Sequence, residues 1–370
     1  MAKLIEITGK ALSGEWGTDD IDGTGIPVLR TTNFTNDGIV SYENVVSRTI
    51  AKKNIEEKYL KTGDIIIEKS GGSDKQPVGR VVFYDGPEHM YLFNNFTGLL
   101  RVKDREKWDP KYIFYSLFFN YIKGGTKAYE NKTTGLHNLK TDDYVSKYEV
   151  KEIDIERQRA KCKRLDMLYE IIRLQRNQII KFDELIKSRF IEMFGDPIQN
   201  DKQFETIIGE NLFKLSNGKT ISAKKRKQTG IPAYGGNGIS WYTDDVLFEK
   251  DTLVVGRVGF QSGNVHLAYA PLWVTDNAMY ISKFHVDEYD LIFLCALMEH
   301  INFTRFQDAG DLKKITQKPF MQMEYIFPPM EMQHRYSDFV HQIDKSKSTV
   351  QKRLNKLQTF QKSLMQQYFG

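Results

Sequence analysis

The sequence predicts an α+β chain in which two mixed α/β modules are joined by two long helices that form an antiparallel coiled coil. Three observations lead there. First, one string of landmarks occurs twice in the same order. Thr24-Gly25-Ile26-Pro27 recurs as Thr229-Gly230-Ile231-Pro232, and Gly63-Asp64-Ile65-Ile66-Ile67 as Lys250-Asp251-Thr252-Leu253-Val254. Asn95 falls opposite Asn277, Ile113-Phe114 opposite Ile292-Phe293, Glu156-Arg157-Gln158 opposite Glu331-Met332-Gln333, and Phe194-Gly195 opposite Phe369-Gly370. The separation between copies shrinks along the chain, so the first copy carries the insertions. Second, each copy ends in an amphipathic stripe that no Pro or Gly interrupts. Third, the segments ahead of those stripes are strand-rich with turn residues between them. The boundaries that follow are 1–152 and 197–328 for the modules, and 153–196 and 329–370 for the helices.

In the first module, Asp64–Glu68 and Gly79–Tyr84 have the β-branched and aromatic content of strands, and Trp108–Asn120 reads as a helix. From about Ile155 to Phe194, apolar residues fall three and four apart at Cys162, Leu165, Leu168, Ile172, Ile179, Phe182, Ile186, Phe190 and Met193, with Gln175 standing in the stripe. In the second module, Leu253–Val258 and Asn264–Tyr269 read as strands and Val286–His300 as a helix. Pro328-Pro329 then makes a rigid lead-in to the second long helix, since Pro is tolerated in a first turn but cannot extend a helix backwards. That helix repeats the pattern at Tyr336, Val340, Ile343, Val350, Leu354, Leu357, Leu364 and Tyr368, with Lys347 and Gln361 filling in. About forty residues at 1.5 Å each make a rod of roughly 60 Å, too long to be buried in a small domain. Two such rods hide their stripes against each other. A whole module lies between them, which favours an antiparallel pair.

The bulk properties exclude several classes. A net charge of +5, from 53 Lys and Arg against 48 Asp and Glu, tilts only mildly toward polyanionic partners. The opening Met1-Ala2-Lys3-Leu4-Ile5-Glu6 has no long apolar core, so no signal peptide is expected, and Ile113–Phe119 and Leu291–Met298 are too short to span a bilayer. A cytoplasmic protein with no membrane association is expected. Cys162 and Cys295 are far apart with no CxxC pair, and are read as buried apolar residues rather than a disulfide or metal ligands. A phosphate-binding loop fails at Phe213, where Lys219 would require Gly; no dinucleotide fingerprint, HExxH helix or GxSxG elbow is present. Glu149-Val150-Lys151 has nuclease-like spacing but no preceding Pro-Asp, and Phe327-Pro328-Pro329-Met330 lacks the Asn and aromatic of an adenine methyltransferase motif. No catalytic set and no metal site are expected, and no cofactor in this chain.

What remains is polar, basic, glycine-rich loop chemistry suited to DNA. Lys224-Lys225-Arg226-Lys227 precedes Tyr234-Gly235-Gly236-Asn237-Gly238 and Trp241, a loop able to neutralise phosphates while Gly admits backbone N–H groups. Arg257 and Arg80, each beside a strand-like run, can present guanidinium groups to a guanine edge. Lys69-Ser70-Gly71-Gly72-Ser73 and the stretch Lys127 to Lys140, with Asn131, Thr133, Thr134 and Asn138, share this character, and Arg30, Lys219, Lys313 and Lys314 complete the candidates. A solvated charged surface is the competing explanation for any one of them. Recurrence at comparable places in both modules argues for function.

This arrangement resembles the specificity subunits of type I restriction-modification enzymes, and the resemblance spans essentially the whole chain. It rests on Gly25-Ile26-Pro27, Gly63-Asp64-Ile65-Ile66, Pro77-Val78-Gly79-Arg80, Arg257-Val258-Gly259 with Ser262-Gly263, Pro328-Pro329 with Glu331 and Gln333, and the two Phe-Gly helix ends. Ile153-Asp154 stands where the second copy has Pro328-Pro329, and the segment before Gly25 matches weakly, which blurs the first module's boundaries. The resemblance implies two target-recognition domains, each reading one half of a split, asymmetric site in double-stranded DNA, with the helices as spacer. It implies a non-catalytic chain that docks two methyltransferase subunits, which bind S-adenosylmethionine and methylate adenine, and restriction and translocase subunits when cleavage is required. The alternative is a coiled-coil adaptor that binds protein only.

Overall fold

The computed structural model describes residues 1–51, 55–133 and 136–370. Four helices organise it: α1 (Pro110–Ile122), α2 (Ile155–Phe194), α3 (Leu291–Ile301) and α4 (Met330–Phe369). The chain divides into two compact units, Met1–Leu174 with Leu354–Gly370, and Gln175–Arg353, so that each unit holds one module and a part of both long helices.

The first unit is built on a four-stranded antiparallel sheet in the order Leu12–Ser13, Thr97–Leu100, Ile65–Glu68, Val81–Phe83. Ile65, Ile66 and Ile67 are all fully buried. Such a run, unlike an alternating one, belongs to a strand covered on both faces. Ile65 and Ile67 join the core with α1, while Ile66 faces a second core with Leu29, Phe34, Val82, Tyr84 and Phe93. That second core is closed by a sheet in which Ile26–Leu29 pairs antiparallel with Val46–Thr49 and parallel with Leu92–Phe93.

The second unit repeats the plan. Phe213–Asn217, Ala278–Phe284, Thr252–Gly256 and Val265–Ala268 form its four-stranded sheet, and Ile231–Gly235 pairs antiparallel with Gly238–Thr243 and parallel with Trp273–Val274. The insertions in the first copy lie where the plans diverge. A long connection separates Ile26–Leu29 from Val46–Thr49, where the second copy has only a tight turn, and a hairpin of Glu130–Thr133 and Leu136–Leu139 is added.

Both predicted module helices start later than their apolar content suggested. Each waits for an acidic cap: Asp109 accepts from the amides of Lys111 and Tyr112, and Asp290 from those of Ile292 and Phe293. A buried glutamine near the start of each long helix then binds that cap. The Asp109 amide donates to Gln158 Oε1 at 2.9 Å, and Gln158 Nε2 donates to the carbonyls of Lys107 (3.0 Å) and Ile153 (2.9 Å). In the second unit the Asp290 amide donates to Gln333 Oε1 at 3.1 Å and Gln333 Nε2 donates to the Pro328 carbonyl at 2.8 Å. The repeated Glu-x-Gln in the sequence is therefore the latch between module and helix.

The stripes meet as expected. Cys162 and Leu165 of α2 share a core with Met365 and Tyr368 of α4 in the first unit. Phe190, Met193 and Phe194 of α2 share one with Tyr336 and Val340 of α4 in the second. The start of one helix packs on the end of the other, which makes the pair antiparallel. Gln175, Lys347 and Gln361, the polar members of the stripes, are half-buried, and Lys347 pairs with Asp183. Cys162 is buried as expected, while Cys295 is only half-buried; burial nevertheless pushes its thiol up to about 12. Pro329 leads directly into α4, its carbonyl accepting from the amides of Met332 and Gln333. No helix among the described residues is long and apolar enough to cross a membrane.

Candidate nucleic-acid interface

In both units the chain leaves the central buried strand and enters a loop whose first residue is cationic. The amides of Lys69 and Ser70 donate to one carbonyl, that of Phe96, at 2.8 and 3.2 Å. The amides of Arg257 and Val258 donate likewise to the carbonyl of Asn277, at 2.8 and 3.3 Å. Lys69 thus occupies the position of Arg257, and Phe96 that of Asn277. The fold sets Phe96, one residue beyond the Asn95 that the sequence pattern places there, opposite Asn277.

The second unit brings part of the predicted set to a cleft of about 610 Å³. Lys219, Arg226, Asn237, Trp241 and the Val258–Gln261 loop line it, together with Ser240, Thr275, Asp276 and Asn277. Backbone proximity requires its glycines. A Cβ on Gly218 would lie 2.1 Å from the Thr275 carbonyl oxygen, and one on Gly256 would lie 2.4 Å from that of Gln261. The four-cation run is exposed but not wholly free. Lys225 pairs with Asp245 at 2.8 Å, Lys227 pairs with Asp244, and Arg226 lies 5.1 Å over the Trp241 ring. Lys224 has no carboxylate partner among the described residues. Arg257 is half-buried and donates to the Asp276 carbonyl at 3.3 Å. Lys313 and Lys314 edge the same rim: the Lys313 carbonyl accepts from the Gly259 amide at 2.8 Å, and Lys314 bridges Val258. Behind the Gly236 turn, burial lowers the affinity of His266 for a proton, and its Nε2 sits 3.4 Å from the Gly236 carbonyl.

Tyr234 is placed elsewhere. The sequence suggested a loop, but Ile231–Gly235 is a strand and Tyr234 is buried in a core with Val254, Leu272 and Val274. Only Gly236 and Asn237 form the turn.

In the first unit the candidates separate into two groups. Asn131 pairs with Asn138, which pairs with Ser70, so the inserted hairpin lies against Ser70–Gly72. Lys69 joins them: its carbonyl accepts from the Leu139 amide, and Nζ donates to Ser13 Oγ at 2.8 Å. Burial chiefly, and the charge of Lys58, lower its pKa. Lys140 and Lys127 are exposed at the base of this hairpin. Thr134 lies outside the described residues. The second group is held internally. Arg80 donates to the carbonyls of Phe34 (3.0 Å) and Thr31 (2.8 Å) and faces the buried Glu68 at 3.5 Å; burial raises the Glu68 carboxyl pKa. Arg30 donates to the Asn44 carbonyl at 3.0 Å. Their guanidinium groups brace the long connection instead of standing free beside a groove.

No group of three or more His, Cys, Asp or Glu side chains among the described residues is arranged to hold a metal ion. A sequence-family model for the type I restriction modification DNA specificity domain matches residues 2–182 and 201–359. The chain belongs to this type I restriction-modification specificity family. Its fold is similar to the type I restriction-modification S subunit from M. genitalium, with a TM-score of 0.63 at 15% identity, covering 100% of this chain and 95% of that one. It is also similar to a chain from a structure addressing complex assembly and conformational transition of the type I restriction-modification system, with a TM-score of 0.58 at 13% identity, covering 100% and 96%. A search of curated proteins returns no match. As in the family, this specificity chain is non-catalytic. The sequence reading missed Ser240, Asn277, Phe96 and Phe260, the last two because an exposed aromatic looks like a strand residue until its loop is known.

Proposed function

We propose that this chain selects the DNA site of a type I restriction-modification complex, each module reading one half of a split, asymmetric duplex sequence. The observation that carries this is the repeated rim: the same backbone device sets Lys69 and Arg257 at the mouth of a loop in both modules. Identical scaffolds with different side chains at the loops are what two half-site readers require, since cations position the phosphates while a few polar groups read base edges. Lys219, Lys224, Lys225, Arg226, Lys227, Arg257, Lys313 and Lys314 serve the second half-site, and Lys69, Lys127 and Lys140 the first. Arg257, Asn237 and Trp241, and Ser70 with Asn131, are the candidates for direct reading. Arg30 and Arg80 act on loop position.

In this reading two methyltransferase subunits dock on the chain and supply S-adenosylmethionine and adenine methylation, and restriction and translocase subunits join for cleavage. The test is to co-express the chain with the methyltransferase encoded beside it and map methylated adenines across host DNA. A split motif whose one half changes when residues 197–328 are exchanged is the expected result. Methylation indifferent to this chain removes the proposal.

A further inference from the structure

We propose that Phe260 is an aromatic wedge that enters the base stack of the half-site read by the second module. The inference rests on the DNA-reading role proposed above and names the residue that deforms the duplex. Phe260 is 85% exposed at the tip of the Arg257–Gly263 loop and lines the same cleft as Lys219, Arg226 and Asn237. An isolated exposed aromatic on a pliant loop would be unremarked, but this loop is tied on every side. The Gly259 amide donates to the Lys313 carbonyl at 2.8 Å, that of Ser262 to the Gly259 carbonyl at 3.0 Å, and that of Gly263 to the Gly256 carbonyl at 2.8 Å. Gln307 Nε2 donates to the carbonyls of Phe260 itself (3.2 Å) and of Ser262 (2.6 Å).

Gly259 and Gly263 hold φ of +95° and +93°, the left-handed region that lets the loop double back and carry its apex outward. These bonds fix the backbone at the apex, and the ring it carries stands exposed to water at the edge of the cleft. The cleft it lines carries the cations Lys219 and Arg226 and the amides Asn237, Gln261 and Asn277, with Trp241 and the single carboxylate Asp276, a composition suited to a DNA rim. Apolar side chains that enter a duplex partly unstack one base step and kink it, while nearby cations hold the backbone. Every base offers a π-face to such a ring, so the contact tolerates sequence at the inserted step and reads how easily that step opens.

The test uses the full chain with its co-expressed methyltransferase, and duplexes carrying the mapped site with 2-aminopurine placed at successive steps of the second module's half. The intact complex should bind and brighten the probe at one step. Phe260→Ala should lose that signal and weaken specific binding about ten-fold, while Phe260→Trp retains both. Phe260→Ala with unchanged signal and affinity overturns the wedge and leaves the DNA-reading role standing. Loss of methyltransferase from purified Phe260→Ala also overturns it, assigning the ring to subunit contact. An intact complex that binds no duplex of the mapped site more tightly than random duplex removes the wedge and the reading beneath it together.

Discussion

Replacing Gln333 with Ala should unlatch the second module from its long helix. Gln333 is fully buried and makes two hydrogen bonds, from the Asp290 amide at 3.1 Å and to the Pro328 carbonyl at 2.8 Å. Truncation leaves both backbone groups without a partner in a site walled by protein. Each such orphan costs roughly 1–3 kcal/mol, and partial entry of water recovers some of this, so the expected loss is about 2–4 kcal/mol. Asp290 remains the cap of α3 and keeps its bonds from Ile292 and Phe293, both at 2.9 Å, so the helix itself persists. Gln333→Glu separates the two contributions: its carboxylate still accepts from the Asp290 amide but donates nothing to Pro328 and sets one negative charge beside another. The assay is urea unfolding with amide hydrogen exchange on the same samples. Exchange should accelerate at the first turn of α3 and around Pro328, with the first module unchanged. A loss below about 1 kcal/mol, or faster exchange spread evenly over the chain, would refute the latch.

Three further outcomes follow from the same geometry. Lys224→Ala should weaken specific binding and lower the slope of log K against log salt by about 0.9, one phosphate contact, whereas Lys225→Ala and Lys227→Ala should each do less because Asp245 and Asp244 already compete for those ammonium groups. Equal slopes for all three in a salt titration would contradict this. Phe190→Ala, which empties a fully buried position stacked on Phe293 and His300, should destabilise the second unit by about 3–5 kcal/mol, checked by the same unfolding assay. Burial first, then the charge of Lys187, lowers the pKa of His300 below its ordinary 6.5. The unfolded chain therefore binds the proton more readily, and the second unit should lose stability as pH falls through and below 6.5. Glu299, raised by burial, pulls the other way above pH 4.5. His300→Gln should remove only the histidine's share, so its stability relative to the parent rises on acidification from pH 7.5 to about 5.5; a constant difference would exclude the assignment.

How much of this was legible in the sequence depends on the range of the interaction. The long helices could be read because a three-four stripe is a local signal, and positions such as Leu165, Phe190 and Tyr336 are buried as the spacing requires. The repeat of Gln158 and Gln333 was visible as a string, but its meaning needs Asp109 and Asp290, which come to these glutamines only in the folded chain. Identical chemistry sets Asn95 opposite Asn277 in the sequence, whereas the fold pairs positions by backbone duty and puts Phe96 there. The Gly-Asn neighbours of Tyr234 suggest a loop, although the strand Ile231–Gly235 runs through it and buries it.

The same distinction orders the candidate site. A cation run shows charge but not its internal neutralisation, which Asp244 and Asp245 supply from the partner strand's end. Arg80 shows what the sequence conceals most completely. Next to a strand it has the look of a base reader, yet carbonyls of a connection more than forty residues away take both terminal nitrogens. Arg257, which holds the position of Lys69 at the rim of the second module, donates to one nearby carbonyl and stays half-buried. Two arginines beside equivalent sheets thus divide the work: one shapes the loops of the first module from inside, the other stands where DNA would meet the second. If that division holds, Arg257→Ala should relax sequence choice in the second half-site at little expense to folding. Arg80→Ala should unfold the Thr31–Phe34 connection and blur the first half-site through loop disorder. A methylation map in which Arg80→Ala alters one base position sharply, with the protein as stable as the parent, would reverse these roles and make Arg80 a reader.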